Sequence, residues 1–183
     1  MFIQTEMTPN PQTMKFLPNQ TVTGGVGVDF CRSDKTISSP LVTRLFKIEG
    51  VEGVFLGYDF ITVTKNHVKE WQVLKPVLLA AIMDHFTSGQ PVMLSSAKVA
   101  DSKLDENDDD ITKKIKELLE TRVRPAVAQD GGDIVFADFK EGVVYVHLRG
   151  SCSGCPSSTA TLKVGIENML RHYVPEVRQV RAV

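Results

Sequence analysis

Val143-Val144-Tyr145-Val146-His147-Leu148-Arg149-Gly150-Ser151-Cys152-Ser153-Gly154-Cys155-Pro156-Ser157-Ser158 sets the architecture of the C-terminal half. Residues 143–148 are β-branched, aromatic and aliphatic, the composition of a strand. Gly150 and Gly154 free the backbone around Cys152 and Cys155. Pro156 then suits the first turn of a helix, where its missing N–H costs nothing. Leu162, Ile166, Met169, Leu170 and Tyr173 fall on one face of that helix, which Pro175 ends. Val177–Val183 reads as a short last strand.

Upstream, Ile134–Phe139 pairs with Val143–Leu148 as a hairpin around Glu141-Gly142. A helix from about Ile111 to Ala128 precedes it, with Ile111, Ile115, Leu118, Leu119, Val123 and Val127 on one stripe. Pro125 is expected to interrupt its last turn, and Gly131-Gly132 to end it. The predicted order is α-β-β-α-β.

Asp101–Asp110 (DSKLDENDDD) carries six acidic residues and a single leucine. Such a block buries too little apolar surface to offset its ordering entropy, so it reads as a solvated, flexible linker. The chain therefore divides into residues 1–87, an acidic linker at 88–110, and residues 111–183. In the first half, Phe2–Met7 and Met14–Leu17 are extended runs separated by Thr8-Pro9-Asn10-Pro11. Ser39-Pro40 has the form of an N-cap followed by proline at the first helical position, and Leu41, Leu45 and Phe46 supply an apolar face. Val51–Leu56 and Phe60–Thr64 read as a hairpin around Gly57-Tyr58-Asp59. Trp71–Phe86 reads as a helix with Leu74, Leu78, Ile82 and Phe86 four apart, Pro76 near its first turn and Gly89 at its stop. Both halves are thus small α+β domains.

The 183 residues are 42% hydrophobic and 23% charged, with net charge −1, which is a globular composition. Near-neutrality gives no general electrostatic pull toward nucleic acid or an anionic membrane. No apolar run approaches the ~18 residues of a membrane span. The first residues lack the pattern of a signal or transit peptide. The expected location is the cytoplasm, a bacterial cytosol ahead of a mitochondrial matrix.

Cys31, Cys152 and Cys155 are too few and odd in number for a disulfide framework. The helix after Pro156 places a positive dipole end near Cys155, a field that favours thiolate, the metal-binding form. Two thiolates are half a tetrahedral site. No second C-x-x-C exists, and His67, His85, His147 and His172 form no pair at metal spacing. A second copy of the chain would complete Cys₄, the ligand set of a [4Fe–4S] or [2Fe–2S] cluster. A structural zinc site and a dithiol redox switch use the same pair and stay open.

The other candidates read as structural. Cys31 is expected to be packed or idle. Gly24-Gly25-Val26-Gly27 lacks the Lys-Ser/Thr of a phosphate loop. His147 is expected on the less buried face of its strand, and His85 at a helix end that suits a cationic ring. Asp130 and Asp133 read as turn residues bonded to local backbone. Trp71 reads as core or domain seam.

These stretches resemble a known family. Arg124-Pro125, Asp130-Gly131-Gly132-Asp133, Val143–Leu148 and Gly150–Ser158 are similar to the NifU-like (Nfu-type) iron–sulfur scaffold domain. Met1–Glu6, Thr8–Pro11, Lys15–Pro18, Ser39–Leu41 and Gly57–Lys65 are similar to its N-terminal companion domain. The resemblance covers nearly the whole chain except the acidic linker. It implies a carrier rather than an enzyme. The carrier would hold a [4Fe–4S] (or [2Fe–2S]) cluster in a homodimer through Cys152 and Cys155, and pass it to apo iron–sulfur proteins. Cluster-assembly proteins would be further partners, and nucleic acid and membrane would not; the N-terminal domain shows no chemistry of its own and is expected to select clients or partners. Cys31 has no counterpart in the pattern. Limited proteolysis of the full chain should cut first within residues 88–110, giving two resistant fragments; first cuts inside either half would break the division.

Overall fold

The computed structural model describes residues 2–25, 27–34, 37–94, 108–153 and 156–183. The chain divides into two compact units, Met1–Val99 and Ala100–Val183.

The first unit is an antiparallel sheet with two helices. Its strands are β1 (Gln4–Met7), β2 (Thr13–Leu17), β3 (Val28–Cys31), β4 (Val51–Leu56) and β5 (Ile61–Lys65), in the order β1-β2-β5-β4-β3. The helices are α1 (Pro40–Phe46) and α2 (Trp71–Thr87). Strand alternation puts Met14, Phe16, Val54, Leu56, Ile61 and Val63 on one face, where they meet Leu41, Val42 and Leu45 of α1 and Leu74, Leu78 and Ile82 of α2. Ser39 caps α1 as expected: its Oγ accepts from the Val42 N–H at 3.2 Å. The unit continues past α2, because Val92 and Met93 pack on this core and the Leu94 N–H donates to Ser38 O at 2.8 Å.

Three features depart from the sequence reading. Strand β3 was not expected; it is four residues long, lies at the sheet edge, and contributes only Phe30 to the fully buried set. Pro76 lies in the second turn of α2 rather than its first, and the buried stripe holds the helix together across the missing N–H. His85 is not a cationic cap. It is fully buried, and neither ring nitrogen has a hydrogen-bond partner. Trp71 is half-buried against the core and donates from Nε1 to Pro11 O at 2.9 Å.

The second unit has the order α-β-β-α-β. Asp109 caps α3 (Asp110–Leu118), accepting from the Thr112 N–H at 2.9 Å, while Lys116 donates to Asp108 at 2.6 Å. The last acidic residues before α3 therefore belong to its start; residues 101–107 of the expected linker lie outside the described residues. The helix then widens to a π-turn over Leu119–Val123 and resumes as α4 (Arg124–Gln129). Proline would clash with the carbonyl four residues back and leave it unbonded, and the widened turn just before Pro125 relieves that without breaking the helix. Gly131, at φ 78°, ends it.

Strands β6 (Gly132–Lys140) and β7 (Val143–Gly150) form the hairpin, and Glu141 and Gly142, both at positive φ, make its two-residue turn. Helix α5 (Pro156–Tyr173) carries the chain back so that β8 (Gln179–Ala182) lies parallel to β7. Ile115, Leu119, Val127, Ile134, Val144, Val146, Ile166, Leu170 and Val180 close the core. Among the described residues no helix is long and apolar enough to cross a membrane.

Burial, and then the charge of Arg44, lower the His85 pKa below its ordinary value. The folded chain resists a proton that the unfolded chain accepts near pH ~6.5, so stability is full above that pH and falls as pH drops through it. The urea midpoint of the wild type should therefore drop more between pH 7.5 and pH 5.5 than that of His85→Leu. Equal drops would remove His85 as the cause.

Candidate metal-binding loop

The loop after β7 is held by main-chain and hydroxyl bonds. Gly150, at φ 65°, turns the chain away from the ladder, where it pairs with Gly132. The Ser151 N–H donates to Gly131 O at 3.2 Å, and Ser151 Oγ donates to Asp130 O. Ser153 donates to Gly150 O from both its N–H, at 3.1 Å, and its Oγ, at 2.8 Å. Thr159, in the first turns of α5, donates from Oγ1 to Cys152 O at 2.9 Å. The loop is thus stitched to the helix–strand turn Asp130–Asp133 on one side and to α5 on the other.

Cys152 is turned inward, only 6% exposed, and belongs to the core cluster of the unit. Its Sγ lies over Gly132, where a Cβ would stand 2.5 Å from the sulfur and 2.9 Å from Arg149 O. A side chain there would have to displace the thiol and would press on the Arg149 carbonyl. Burial pushes the Cys152 thiol up to about 11; the Ser151 hydroxyl, 3.9 Å from Sγ, opposes this, and the charges of Asp130 and Asp133 add to it. The expectation of a loop that favours anionic sulfur is therefore corrected for Cys152. Desolvation outweighs any local field while the side chain stays in this position. Cys155 and Gly154 lie outside the described residues.

Asp133 is more than a turn residue. It is buried and receives Arg124 through two bonds, Nε to Oδ1 at 2.8 Å and Nη2 to Oδ2 at 3.2 Å. Arg124 Nη1 also donates to both Glu120 carboxylate oxygens, at 2.7 and 2.8 Å. Burial works against the guanidinium charge, but the bonds to Asp133 and Glu120 more than offset it and raise its pKa. Asp133 is thus fixed by a guanidinium as well as by its bond from the Ile134 N–H. Its work is to lock α4 to the start of β6, beside the glycine that receives Cys152. The Glu120–Arg124 spacing of four was readable in the sequence; the partnership with Asp133 was not.

The remaining candidates do not assemble. Cys31 is exposed on β3 rather than packed, and its N–H donates to Asp34 Oδ2 at 2.7 Å. His147 is exposed, with Nδ1 against Val183 O at 2.9 Å. Among the described residues no three His, Cys, Asp or Glu side chains converge to hold a metal ion.

The chain is similar to known proteins along most of its length. Residues 3–89 match the family described as scaffold protein Nfu/NifU N terminal, and residues 115–181 match the NifU-like domain. The curated relatives include the mitochondrial NFU1 iron-sulfur cluster scaffold homologs of Drosophila sechellia, 52% identical over 184 residues, and of Drosophila willistoni, 50% identical over 184 residues. All of this chain is covered, and it spans 65% and 64% of their lengths. A solution structure of a NifU-like protein from Saccharomyces cerevisiae aligns with 50% of this chain and 83% of its own, at 26% identity and TM-score 0.47. Carrying both domains in this order, the chain belongs to the Nfu/NifU scaffold family.

Proposed function

We propose that this chain is an iron–sulfur cluster scaffold and carrier rather than an enzyme. Two copies grip one [4Fe–4S] or [2Fe–2S] cluster through Cys152 and Cys155 of each. The observation that carries the reading is the Cys152-x-x-Cys155 pair between β7 and α5, in a chain whose two halves match Nfu and NifU domains. Two thiolates per chain leave a Cys₄ set half complete, and a two-fold pair supplies the rest. The cluster is cargo. In delivery, a client thiol gives up its proton and bonds to iron, while the departing Cys152 sulfur leaves the iron and takes a proton. One Fe–S bond replaces another, and no electron moves.

Cargo binding requires Cys152 to leave its inward position, since a buried sulfur cannot meet a second chain. A dithiol oxidoreductase would need the same outward movement before its first cysteine could attack as a thiolate. The mitochondrial names of the relatives favour the matrix over the bacterial cytosol expected from the N-terminal residues.

Anaerobic reconstitution with iron and sulfide tests the reading. The wild type should turn brown, bind iron and elute as a dimer, and Cys152→Ala and Cys155→Ala should each lose most of the iron. Equal iron in Cys152→Ala would remove the assigned site. A colourless protein that keeps zinc and unfolds with chelator would make it a structural zinc module.

A further inference from the structure

We propose that the Asp130–Asp133 turn is a receptacle for the protein's own Cys152 side chain. It shelters the thiol between deliveries and competes with the cargo for it, with Gly132 and Ser151 as the positioning residues. The inference rests on the reading of Cys152 as a cargo ligand.

Three observations carry it. First, the fit is steric. Sγ lies where a Cβ on residue 132 would stand 2.5 Å from it, and the Cys152 Cβ would be 3.2 Å away, so the turn offers the sulfur a notch that any other residue would fill. Second, the notch is rigid. Arg124 fixes Asp133 through two bonds, Gly131 holds φ 78°, and Gly132 pairs with Gly150 at the end of the β6–β7 ladder. Third, bonds from both sides of Cys152 fasten it over the notch. Ser151 grips the turn through its N–H to Gly131 O and its hydroxyl to Asp130 O, and Thr159 holds Cys152 O.

A sulfur with two homes, one on iron and one on Gly132, gives the carrier a built-in competitor for its own ligand. When a client thiol displaces Cys152, the notch receives the side chain and hinders its return to iron. The hydroxyl of Ser151 tilts this balance toward the notch.

Protection of the thiol can be measured without cargo. In the full chain carrying Cys31→Ser and Cys155→Ser, Cys152 is the sole cysteine, since the sequence has three. Its rate of reaction with dithiodipyridine is compared in the folded and urea-unfolded states at one pH. The folded protein should react at least tenfold more slowly. Ser151→Ala should lose about fivefold of that protection, the effect of one hydrogen bond, and Ser151→Thr should restore it. Gly132→Ala should abolish protection; where it fails to fold, Ser151→Ala decides alone. With native cysteines, cluster-loaded Ser151→Ala should deliver to an apo-ferredoxin about fivefold more slowly than wild type.

An unprotected wild-type thiol, unchanged protection in Ser151→Ala, or unchanged delivery would each overturn the inference and leave the carrier reading standing. Protection as expected together with full iron in Cys152→Ala would end both, because the notch would then hold a thiol that no cargo uses.

Discussion

The C-terminal unit closes on one constraint: residue 132 has no side chain, and the Cys152 sulfur takes its place. The end of the β6–β7 ladder, the turn after α4 and the loop before α5 all converge there. Each is held by bonds that presuppose the others. Ser151 reaches Gly131 and Asp130 only because Gly150, at positive φ, turns the chain back toward them. Asp133 meets Arg124 only because the π-turn carries the helix past Pro125 without ending it. An alanine at 132 would be pressed against both the sulfur and the Arg149 carbonyl, and the carbonyl belongs to a paired strand that cannot yield cheaply.

Magnitudes decide in what order the thiol moves and ionises. A thiol pushed up to about 11 loses its proton in place at neutral pH at a cost of about 5 kcal/mol, at about 1.4 kcal/mol per pH unit. Withdrawing the side chain costs the burial of a small apolar group, ~1 kcal/mol, plus ~1 kcal/mol for each of the holding hydrogen bonds that breaks. Leaving first and ionising in water is the easier path. The helix dipole was read for Cys155, and for Cys152 burial is the larger influence in this position.

Much of the scaffold was legible because it depends on local periodicity. The stripes of α3–α4 and α5, the 143–148 strand, the Glu141-Gly142 turn and the Ser39-Pro40 cap each follow from neighbours within a few residues. What escaped depends on distance or on compensation. Edge strand β3 is short and puts a single residue fully into the core, so its pattern is faint. The π-turn answers a clash that the sequence records only as one proline. His85 sits at a position where polarity suggested solvent, yet the helix stripe carries it into the interior with both nitrogens unpaired. The Cys152 notch joins residues twenty apart, and nothing local to either C-x-x-C or Gly-Gly announces the other. The family likeness named the same stretches without giving the contact between them.

A carrier is limited by release as much as by capture. Thiolate–iron bonds are strong, and a scaffold that optimised all four would keep its cargo. A ligand with a sheltered alternative position weakens the grip by the stability of that position, and about 1.4 kcal/mol is a tenfold change in an equilibrium. The alternative must be rigid enough to favour one place for the sulfur, which the Arg124–Asp133 pair supplies. It must also be able to surrender it; among the described residues, Ser151 and Thr159 fasten the chain on either side of the sulfur. On this view the glycine pair at 131–132 has two duties. Gly131 permits the backbone turn, and Gly132 leaves room for the sulfur, the duty on which delivery would draw in the proposed carrier.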